Sequence, residues 1–365
     1  MIKRYNAVVG QSGGPTSAIN ATLAGVIAGC LSKRNEIDKV YGMRNGIEGF
    51  MREMLVELNE RFETPAELEL LKNTPASALG SCRIKLKDDE QFEKIFKLIE
   101  KYDIKYFFYI GGNDSMDAVA KLEKYRSQHP EANPIDTKFI GVPKTIDNDL
   151  CVTDHTPGFG SAAKYIASSL EEVVRDCAVY LQKAVTIVEI MGRDAGWLTA
   201  AAALARNGYN TAPHLIYLPE VAFDPEDFLL DVKRLLFERN NVIVAVSEGI
   251  RDASGNYISA SEQSIDTFGH SQLSGAGKTL EFLVKEKLGV KVRSVEINVL
   301  QRCAAHLASQ TDLDESFALG KKAVALSEEG VTASMVTIER TSNAPYTVDY
   351  SYAEIRQIAN EAKSV

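Results

Sequence analysis

Short, almost continuously apolar runs alternate along this chain with stretches that have the apolar spacing of a helix, and this alternation restricts the possible fold most strongly. The apolar runs are rich in β-branched and aromatic residues, as in "YFFYIGG" at 106–112. A strand with so few polar positions must be covered on both faces, as parallel strands joined by helices are. The sequence therefore predicts an α/β fold with mostly parallel sheets.

Several runs share the strand character, and longer segments between them have amphipathic helical spacing. The predicted strands are 6–10, 106–112, 138–143, 184–192, 214–219, 241–249 and 293–300. The predicted helices are 90–102, 161–176 and 226–239. The chain has 365 residues, which fits two domains or one large α/β unit. Because no Pro-rich or low-complexity linker marks a boundary, we expect the domains to share crossing segments.

The composition disfavours several other classes of protein. A formal charge of −9 argues against general nucleic-acid binding, which needs a basic surface. No apolar run approaches the roughly 20 residues of a membrane-spanning helix, and the apolar part of the N-terminus is too short for a signal peptide. The five cysteines are scattered without a CxxC pair, which is typical of reduced thiols. We expect a cytoplasmic protein that binds neither nucleic acid nor membranes.

Ligands of parallel α/β sheets bind beyond the carboxyl ends of the strands, so the residues that follow each predicted strand are the candidates. After the first strand, Gly13 and Gly14 allow backbone amides to approach an anion. Thr16 or Ser17 is expected to cap a helix whose N-terminus favours negative charge. A plain glycine-rich turn is the alternative.

The stretch "GGNDSMDAV" at 111–119 repeats this pattern, with Ser115 as the expected helix cap. Asp114 is unusual at this place. A carboxylate beside a bound phosphate repels it unless a metal or another cation intervenes.

The stretch "GVPKTIDND" at 141–149 combines a cation with two acids after another predicted strand. In extended geometry Asp147 and Asp149 would face one way, so that one takes a proton from a hydroxyl while the other orients a metal or water. Lys144 would neutralise a phosphoryl oxygen. A solvated turn rich in Asp and Asn is the alternative.

Further polar residues lie at the ends of later strands. Arg193 suits a phosphate or a transition-state charge, and an ion pair with Asp194 is the alternative. Glu248 is placed to accept hydrogen bonds from sugar hydroxyls. Arg293 and Arg302 flank the last predicted strand and are candidates for a terminal phosphate.

The segment "SGAGKT" at 274–279 has the appearance of the end of a nucleotide-binding P-loop. That pattern requires a glycine where Gln272 stands and a strand just upstream. We predict a loop that begins the helix "KTLEFLVKEKL", with a true nucleotide site as the alternative.

Taken together and in order, the motifs of this chain resemble those of the phosphofructokinase family. They are "GGPTSAIN", "GSCR" (80–83), "GGNDS", "PKTIDND", "MGR", "SEG" and "VLQR". The resemblance implies two Rossmann-like three-layer domains with the active site between them, and a homo-oligomer (dimer or tetramer). We expect a phosphoryl-donor domain formed by 1–158 plus 301–350 and a sugar-phosphate domain formed by 159–300 plus 351–365.

The resemblance also implies a reaction and roles for residues. The family transfers a phosphoryl group to the 1-hydroxyl of fructose 6-phosphate, and Asp147 matches its general base, with Thr145 and Asp149 beside it. The implied catalytic set also contains Lys144, Asp114 and Arg193. Positions that bind substrate in the family match Gly13, Arg83, Thr145, Ile146, Asp147, Met191, Gly192, Arg193, Glu248, Arg293 and Arg302.

The phosphoryl donor is predicted from Asp114 and Lys144. Family members that use ATP have glycine at the first position, whereas members that use pyrophosphate have Asp there and Lys at the second. A carboxylate repels and crowds the α-phosphate of ATP, which pyrophosphate lacks. The resemblance implies Mg²⁺, and because the acid that holds it in the family is Asn113 here, we expect Mg²⁺ at Asp114 or, through its amide oxygen, at Asn113. With pyrophosphate as donor, the reaction is expected to be reversible.

Some positions depart from the family pattern at the sugar-phosphate end. The arginine that reaches the sugar phosphate across a subunit interface falls at Ala184, with Lys183 on the opposite strand face, and another sugar-binding position is Val299. Sedoheptulose 7-phosphate is therefore an alternative acceptor.

Three alternative functions follow from the sequence. They are an ATP-dependent phosphofructokinase, a non-catalytic sugar-phosphate-binding subunit and a nicotinamide-dependent enzyme. The intact "TIDND" argues against the second, and the absence of a GxGxxG turn argues against the third.

Overall fold

The structure, a computed structural model, describes residues 3–258, 264–265, 271–272, 275–359 and 361–365. Its strands are β1 (Tyr5–Gln11), β2 (Ile37–Met43), β3 (Leu55–Glu57), β4 (Ile104–Gly111), β5 (Lys138–Pro143), β6 (Ala184–Ile190), β7 (Leu215–Tyr217), β8 (Asn241–Ser247), β9 (Ser264–Ile265), β10 (Ser271–Gln272), β11 (Lys291–Glu296), β12 (Ser334–Asn343) and β13 (Tyr346–Glu354). Its α-helices are α1 (Ile19–Leu31), α2 (Gly46–Met51), α3 (Pro65–Lys72), α4 (Asp89–Lys101), α5 (Asn113–Gln128), α6 (Phe159–Ala178), α7 (Trp197–Ala201), α8 (Pro225–Glu238), α9 (Ala276–Leu288), α10 (Leu300–Cys303) and α11 (Gln310–Glu328).

The chain forms two compact units. The first contains the described residues of Met1–Ile146, Leu150–Ser161 and Arg302–Ala362. The second contains those of Asp147–Asp149, Ala162–Gln301 and Lys363–Val365. The chain therefore passes between the units several times without an extended linker, and one crossing lies inside the "TIDND" stretch.

The first unit is built on one sheet with the strand order β13-β12-β5-β4-β1-β2-β3. The inner neighbours pair in parallel, whereas the edge strands β3 and β13 are antiparallel to their partners. In β4 the successive residues Phe107 and Phe108 are both fully buried. Phe107 belongs to a core cluster with Phe96 of α4, and Phe108 to another cluster with Leu23 of α1 and Leu319 of α11. Helices thus cover both faces, which explains the continuous apolar run.

The second unit is built on a smaller, wholly parallel sheet with the order β11-β6-β8-β7. Its core cluster joins strand residues such as Val185 and Val244 to Phe228 of α8 and Leu280 of α9. Parallel strands again place the loops that follow β6 and β8 at the same edge of the sheet.

The predicted α/β fold with mostly parallel sheets is confirmed. The predicted strands and helices differ from the observed ones by at most two residues at either end, with one exception. The predicted strand 293–300 ends at Glu296, because Asn298 takes a left-handed conformation (φ 46°) and α10 begins at Leu300. The strands β2 and β3 and the hairpin formed by β12 and β13 were not predicted from the sequence.

Within the part of the chain that the structure describes, none of the helices is both long and apolar enough to cross a membrane. The five cysteines, all of which the structure describes, are not joined in disulfides, which agrees with the prediction of reduced thiols.

Candidate active site

The turn after β1 in the first unit contains two glycines because cationic side chains lie against it. Gly13 has φ +77°, and a Cβ on it would lie 3.1 Å from Lys144 Nζ. A Cβ on Gly14 would lie 2.9 Å from Arg302 Nη1. Both substitutions would push a positive group away. Gly13, Lys144 and Arg302, which were predicted from separate motifs, are therefore brought together at this turn.

The predicted cap of the following helix is wrong. Helix α1 begins at Ile19 after Ala18, and no side chain caps its N-terminus. The hydroxyl of Thr16 instead accepts a hydrogen bond from the Ala18 amide at 3.3 Å, inside the turn. The Gly-Gly-Pro turn uses more residues than predicted before helical geometry starts, so Ser17 also precedes the capping position.

Lys144 follows β5 directly and is buried, with 3% of its surface exposed. Its Nζ donates to the carbonyl oxygen of Gly14 at 2.8 Å, and its backbone amide donates to Gly111 at 2.9 Å. A buried ammonium needs strong acceptors, and it is held here by a backbone carbonyl of the glycine turn. This places a positive charge at the turn where an anionic ligand would approach backbone amides.

The turn after β4 leads directly into α5, which begins at Asn113 with Gly112 as its capping residue. Ser115 therefore lies inside the helix, and its prediction as the cap is wrong. Asp114 lies in the first helical turn, where its carboxylate interacts favourably with the helix dipole. Lys85 Nζ lies 3.3 Å from Asp114 Oδ1. The amide nitrogen of Asn113 donates to the carbonyl of Glu361 at 2.7 Å.

Arg83 belongs to an irregular segment that is attached to the glycine turn. The hydroxyl of Ser81 donates to the carbonyl of Gly13 at 2.6 Å, and the Gly13 amide donates to the carbonyl of Cys82 at 3.2 Å. The segment therefore lies beside the turn. Arg83 directly follows the two residues that bond to it. Lys85 was not predicted from the sequence as a site residue, although apolar and basic residues alternate from Cys82 onwards.

Thr145 and Ile146 end the first unit's part of the "TIDND" stretch, and both are buried. The amide of Thr145 donates to the carbonyl of Pro157 at 3.2 Å. Its carbonyl accepts from the Thr156 hydroxyl at 2.7 Å. A loop that comes just after the acidic residues in sequence therefore fixes the backbone just before them.

Asp147, Asn148 and Asp149 belong to the second unit. The expectation of extended geometry is wrong, because Asn148 is left-handed with φ 56°. Asparagine tolerates this conformation better than most residues do. The carbonyl of Asp149 accepts from the Lys363 amide at 2.8 Å, which ties the stretch to the last described residues.

Glu248 and the "MGR" motif come together in the second unit, at the ends of β8 and β6. The Gly192 amide donates to Glu248 Oε1 at 3.3 Å, and the Ser247 hydroxyl donates to the Gly192 carbonyl at 2.6 Å. Burial and, to a smaller extent, the nearby charge of Asp147 raise the pKa of Glu248 to about 7, against the opposing effects of the Gly192 hydrogen bond and Arg193. The carboxyl of Glu248 therefore changes its charge near neutral pH.

Arg193 has a buried Nε for which the described residues provide no hydrogen-bond acceptor. The alternative of an ion pair with Asp194 is wrong, because Asp194 pairs with Arg251. Since a buried unsatisfied donor is costly, a ligand that supplies an acceptor would stabilise this arrangement. The amide of neighbouring Met191 donates to Gln301 Oε1 at 3.3 Å.

Arg293 lies on the edge strand β11 and is not grouped with these residues. Its Nη1 lies 3.8 Å from Asp176 Oδ2, and half of its side chain is exposed. Ala184 pairs in register with Lys291, a cation that the sequence analysis also did not single out. Val299 is exposed.

At the "SGAGKT" segment, the carboxylate of Glu189 from β6 occupies the place where a P-loop would bind phosphate. Helix α9 begins at Ala276, slightly earlier than predicted, and Ser274 lies outside the described residues. The buried carboxylate of Glu189 accepts from the amides of Gly275 at 3.2 Å and Gly277 at 2.7 Å. Because these amides already bind a carboxylate, the alternative of a nucleotide site loses its physical basis.

Known proteins resemble this chain along nearly its whole length. The family model for phosphofructokinase matches residues 6–326. Proteins named pyrophosphate–fructose 6-phosphate 1-phosphotransferase from Halomonas elongata and Xanthomonas campestris are 42% and 43% identical, each over 99% of this chain and 86% and 85% of their own lengths. The crystal structure of a pyrophosphate-dependent phosphofructokinase from Nitrosospira multiformis superposes with a TM-score of 0.87 at 37% identity, covering 99% of this chain and 86% of that one.

Proposed function

Because this chain belongs to the phosphofructokinase family, we propose that it transfers a phosphoryl group from pyrophosphate to the 1-hydroxyl of fructose 6-phosphate. The products are fructose 1,6-bisphosphate and orthophosphate. The names of two relatives that are 42% and 43% identical support this reaction. The observation that carries the choice of donor is Asp114 in the first turn of α5, together with the buried Lys144 at the glycine turn.

The first unit supplies the donor side of the reaction in this proposal. Lys144 and Arg302 lie against Gly13 and Gly14, so two positive charges converge on one turn. These groups would bind pyrophosphate and stabilise the charge that develops on the departing orthophosphate. Asp114 would repel the α-phosphate of ATP, which has no counterpart in pyrophosphate.

The second unit supplies the acceptor side. Asp147 accepts the proton of the 1-hydroxyl as the new oxygen–phosphorus bond forms and the bridging bond of pyrophosphate breaks. Thr145 and Asp149 position this centre. Glu248 accepts hydrogen bonds from the sugar hydroxyls, and Arg193 uses its unsatisfied donor on the sugar phosphate or the transferred phosphoryl group.

The remaining family positions complete the substrate contacts in this proposal. Arg83 binds along the phosphoryl path, and Ile146, Met191 and Gly192 contact the sugar phosphate. Arg293, which is not grouped with these residues within one chain, is proposed to bind the phosphate end from a neighbouring subunit of the homo-oligomer. We further propose a donor domain of 1–158 plus 301–350 and a sugar-phosphate domain of 159–300 plus 351–365, although the compact first unit extends to Ala362 and so includes the end of β13.

Mg²⁺ fits the residues at the start of α5. It prefers oxygen ligands, and it commonly takes only one or two protein carboxylates and completes its shell with water and substrate phosphates. Asp114 offers a partly exposed carboxylate, and Asn113 lies next to it. When bound, the ion would neutralise charge on the phosphate oxygens.

We also propose that the protein acts in the cytoplasm as a homo-oligomer, either a dimer or a tetramer. Light scattering of the purified protein measures its mass directly. A particle mass near 40 kDa, the mass of one chain, would contradict this part of the proposal.

Phosphorus NMR tests the reaction itself, in both directions. With Mg²⁺ and fructose 6-phosphate, the signal of pyrophosphate should be replaced by those of orthophosphate and fructose 1,6-bisphosphate. Starting from the last two, pyrophosphate should appear, because the free energies of transfer are comparable. Loss of pyrophosphate without formation of a sugar bisphosphate would show a hydrolase instead.

The sugar acceptor has one competitor, sedoheptulose 7-phosphate, which the substitutions at Ala184 and Val299 leave open. Parallel rate measurements with the two sugars decide between them. We expect the larger kcat/KM for fructose 6-phosphate. The opposite ranking would reassign the acceptor without changing the donor.

A further inference from the structure

Lys85 forms an ion pair with Asp114, the residue that is proposed to select the donor. Its Nζ lies 3.3 Å from Asp114 Oδ1, and about a third of its side chain is exposed, so it remains accessible to a ligand. No motif of the sequence analysis contained it. The pair places a positive charge beside the one acid that would otherwise repel any phosphate at the start of α5.

The position of Lys85 follows from the alternation of core-facing and more exposed side chains along its segment. Cys82 and Leu86 are buried and Ile84 packs against the same core cluster, whereas Arg83 and Lys85 occupy the positions between them. In an extended chain, alternate residues face opposite sides. The two basic residues are therefore presented together, away from the core.

The segment is also anchored on both sides of Lys85. Ser81 and Cys82 bond to Gly13 of the glycine turn at 2.6 Å and 3.2 Å. At the other end, Lys121 Nζ of α5 donates to the carbonyl of Leu86 at 3.3 Å. The segment thus has partners at the glycine turn and on α5 that do not depend on the ion pair between Lys85 and Asp114.

On this basis we propose that Lys85 is a pyrophosphate-binding residue that helps to determine donor specificity. It neutralises Asp114 when no donor is bound and supplies charge to an oxygen of pyrophosphate when the donor binds. A lysine suits this task because its ammonium is a compact charge on a flexible stem. This inference rests on the proposed function, since it assumes that pyrophosphate binds near the start of α5.

A purely structural role is the competing explanation. Exposed ion pairs contribute little to stability, and the segment already has the backbone and core contacts described above. If the ion pair were purely structural, breaking it would change the KM values of both substrates alike or leave both unchanged. A donor-binding lysine affects pyrophosphate selectively.

The test compares Lys85→Gln with Lys87→Gln, which removes an exposed positive charge from the same segment. Steady-state kinetics give KM for pyrophosphate and for fructose 6-phosphate separately. For Lys85→Gln, we expect the KM for pyrophosphate to rise about 10- to 100-fold, as for loss of one charge-assisted hydrogen bond. The KM for fructose 6-phosphate should stay within about twofold, and Lys87→Gln should resemble the wild type.

Lys85→Arg keeps the charge and should recover part of the loss. Circular dichroism and thermal unfolding of each variant check that the fold is retained. Equal rises in both KM values, or a KM for pyrophosphate in Lys85→Gln equal to that of Lys87→Gln, would overturn the inference.

The two levels of the proposal fail in different ways. If the wild-type protein does not turn over pyrophosphate, the proposed function fails and the role of Lys85 fails with it. If the wild type uses pyrophosphate while Lys85→Gln behaves like Lys87→Gln, only the inference about Lys85 is wrong.

Discussion

Glu248 shows at the scale of one residue how burial shifts the pKa of a carboxyl group. Its carboxyl accepts the Gly192 amide, yet burial and the charge of Asp147 raise its pKa to about 7. An ionised Glu248 is therefore unfavourable in the protein alone. Sugar hydroxyls would donate to the ionised form and stabilise it, so substrate binding and ionisation are expected to support each other.

Replacement of Glu248 by Gln should change how stability depends on pH. Because its pKa is higher in the folded than in the unfolded chain, the folded state binds more protons between about pH 4.5 and 7. The wild type therefore loses stability as pH rises through this window, by on the order of 2–3 kcal/mol. Urea unfolding at pH 5 and pH 8 should show Glu248→Gln gaining stability relative to the wild type at the higher pH.

The matched control is Glu238→Gln, which changes an exposed glutamate at the end of α8. Because this variant keeps Glu248, it should lose stability between pH 5 and pH 8 as the wild type does. If Glu248→Gln and the wild type lose stability in parallel between pH 5 and pH 8, Glu248 does not ionise as described.

Replacement of Asp147 by Asn tests the proposed general base. An amide cannot accept the proton of the sugar hydroxyl, so kcat should fall by about 10²- to 10⁴-fold. Calorimetric binding of fructose 6-phosphate should remain close to that of the wild type. Asp38→Asn, on β2, serves as the control and should leave kcat unchanged. An Asp147→Asn enzyme with near-normal kcat would refute the assignment.

At the scale of elements, the loop after the acidic stretch is fastened to α11 and to the hairpin of β12 and β13. His155 Nδ1 lies 2.8 Å from Asp154 Oδ1, and its Nε2 lies 2.7 Å from Glu315 Oε2. Asp154 also pairs with Arg340, and Glu315 accepts from the Tyr346 hydroxyl at 2.6 Å. The loop continues into residues that bond to Thr145, so this network supports the backbone before Asp147.

The cation of His155 is stabilised by its two acidic partners, which raise its pKa although burial lowers it. Its contribution to stability is therefore complete below about pH 6.5 and is lost as pH rises through the folded-state pKa. His155→Gln should cost about 1.5–3 kcal/mol at pH 6, the range for hydrogen bonds to charged groups, and less at pH 9.

Urea unfolding at the two pH values measures this difference. His129→Gln is the control because that histidine is nearly half exposed and pairs only with the exposed Glu131 among the acids that the structure describes around it. A loss for His155→Gln that is equal at pH 6 and pH 9 would show that the neutral ring makes the same contribution.

The elements that were predicted from the sequence share a clear apolar pattern. In the strands it is a short continuous apolar run, and in the helices it is helical spacing of apolar residues. Strands such as β4 and β8 are buried on both faces, so their composition alone identifies them. The short edge strand β3 and the hairpin of β12 and β13 have mixed, partly exposed surfaces, and their pairing depends on neighbours distant in sequence. The same limit explains the wrong caps at Thr16 and Ser115, because turn geometry is set by contacts that the sequence does not display.

The residues of the candidate site were predicted from the sequence, but several of the contacts between them were not, for a similar reason. Asp147, Lys144 and Asp114 lie at strand ends within motifs, which made them visible. The contact of Lys144 and Arg302 with one glycine turn joins positions far apart in the chain. The left-handed Asn148 and the partner of Asp194 depend on tertiary structure in the same way.

At the scale of the whole molecule, two sheets of different size form the cores of two compact units, and the chain crosses between the units inside the acidic stretch. The donor-side residues belong to the first unit and the proposed base to the second. The assignment of one substrate to each unit is the proposal that joins these observations. Its most specific consequence is the identity of the phosphoryl donor.

The most direct measurement is therefore kcat/KM for pyrophosphate and for ATP, with fructose 6-phosphate as the acceptor. The wild type should use pyrophosphate and show little or no turnover with ATP. Asp114→Gly removes the repelling carboxylate. It should raise kcat/KM for ATP and so reduce the difference between the values for the two donors. Turnover with ATP and none with pyrophosphate in the wild type would contradict the account.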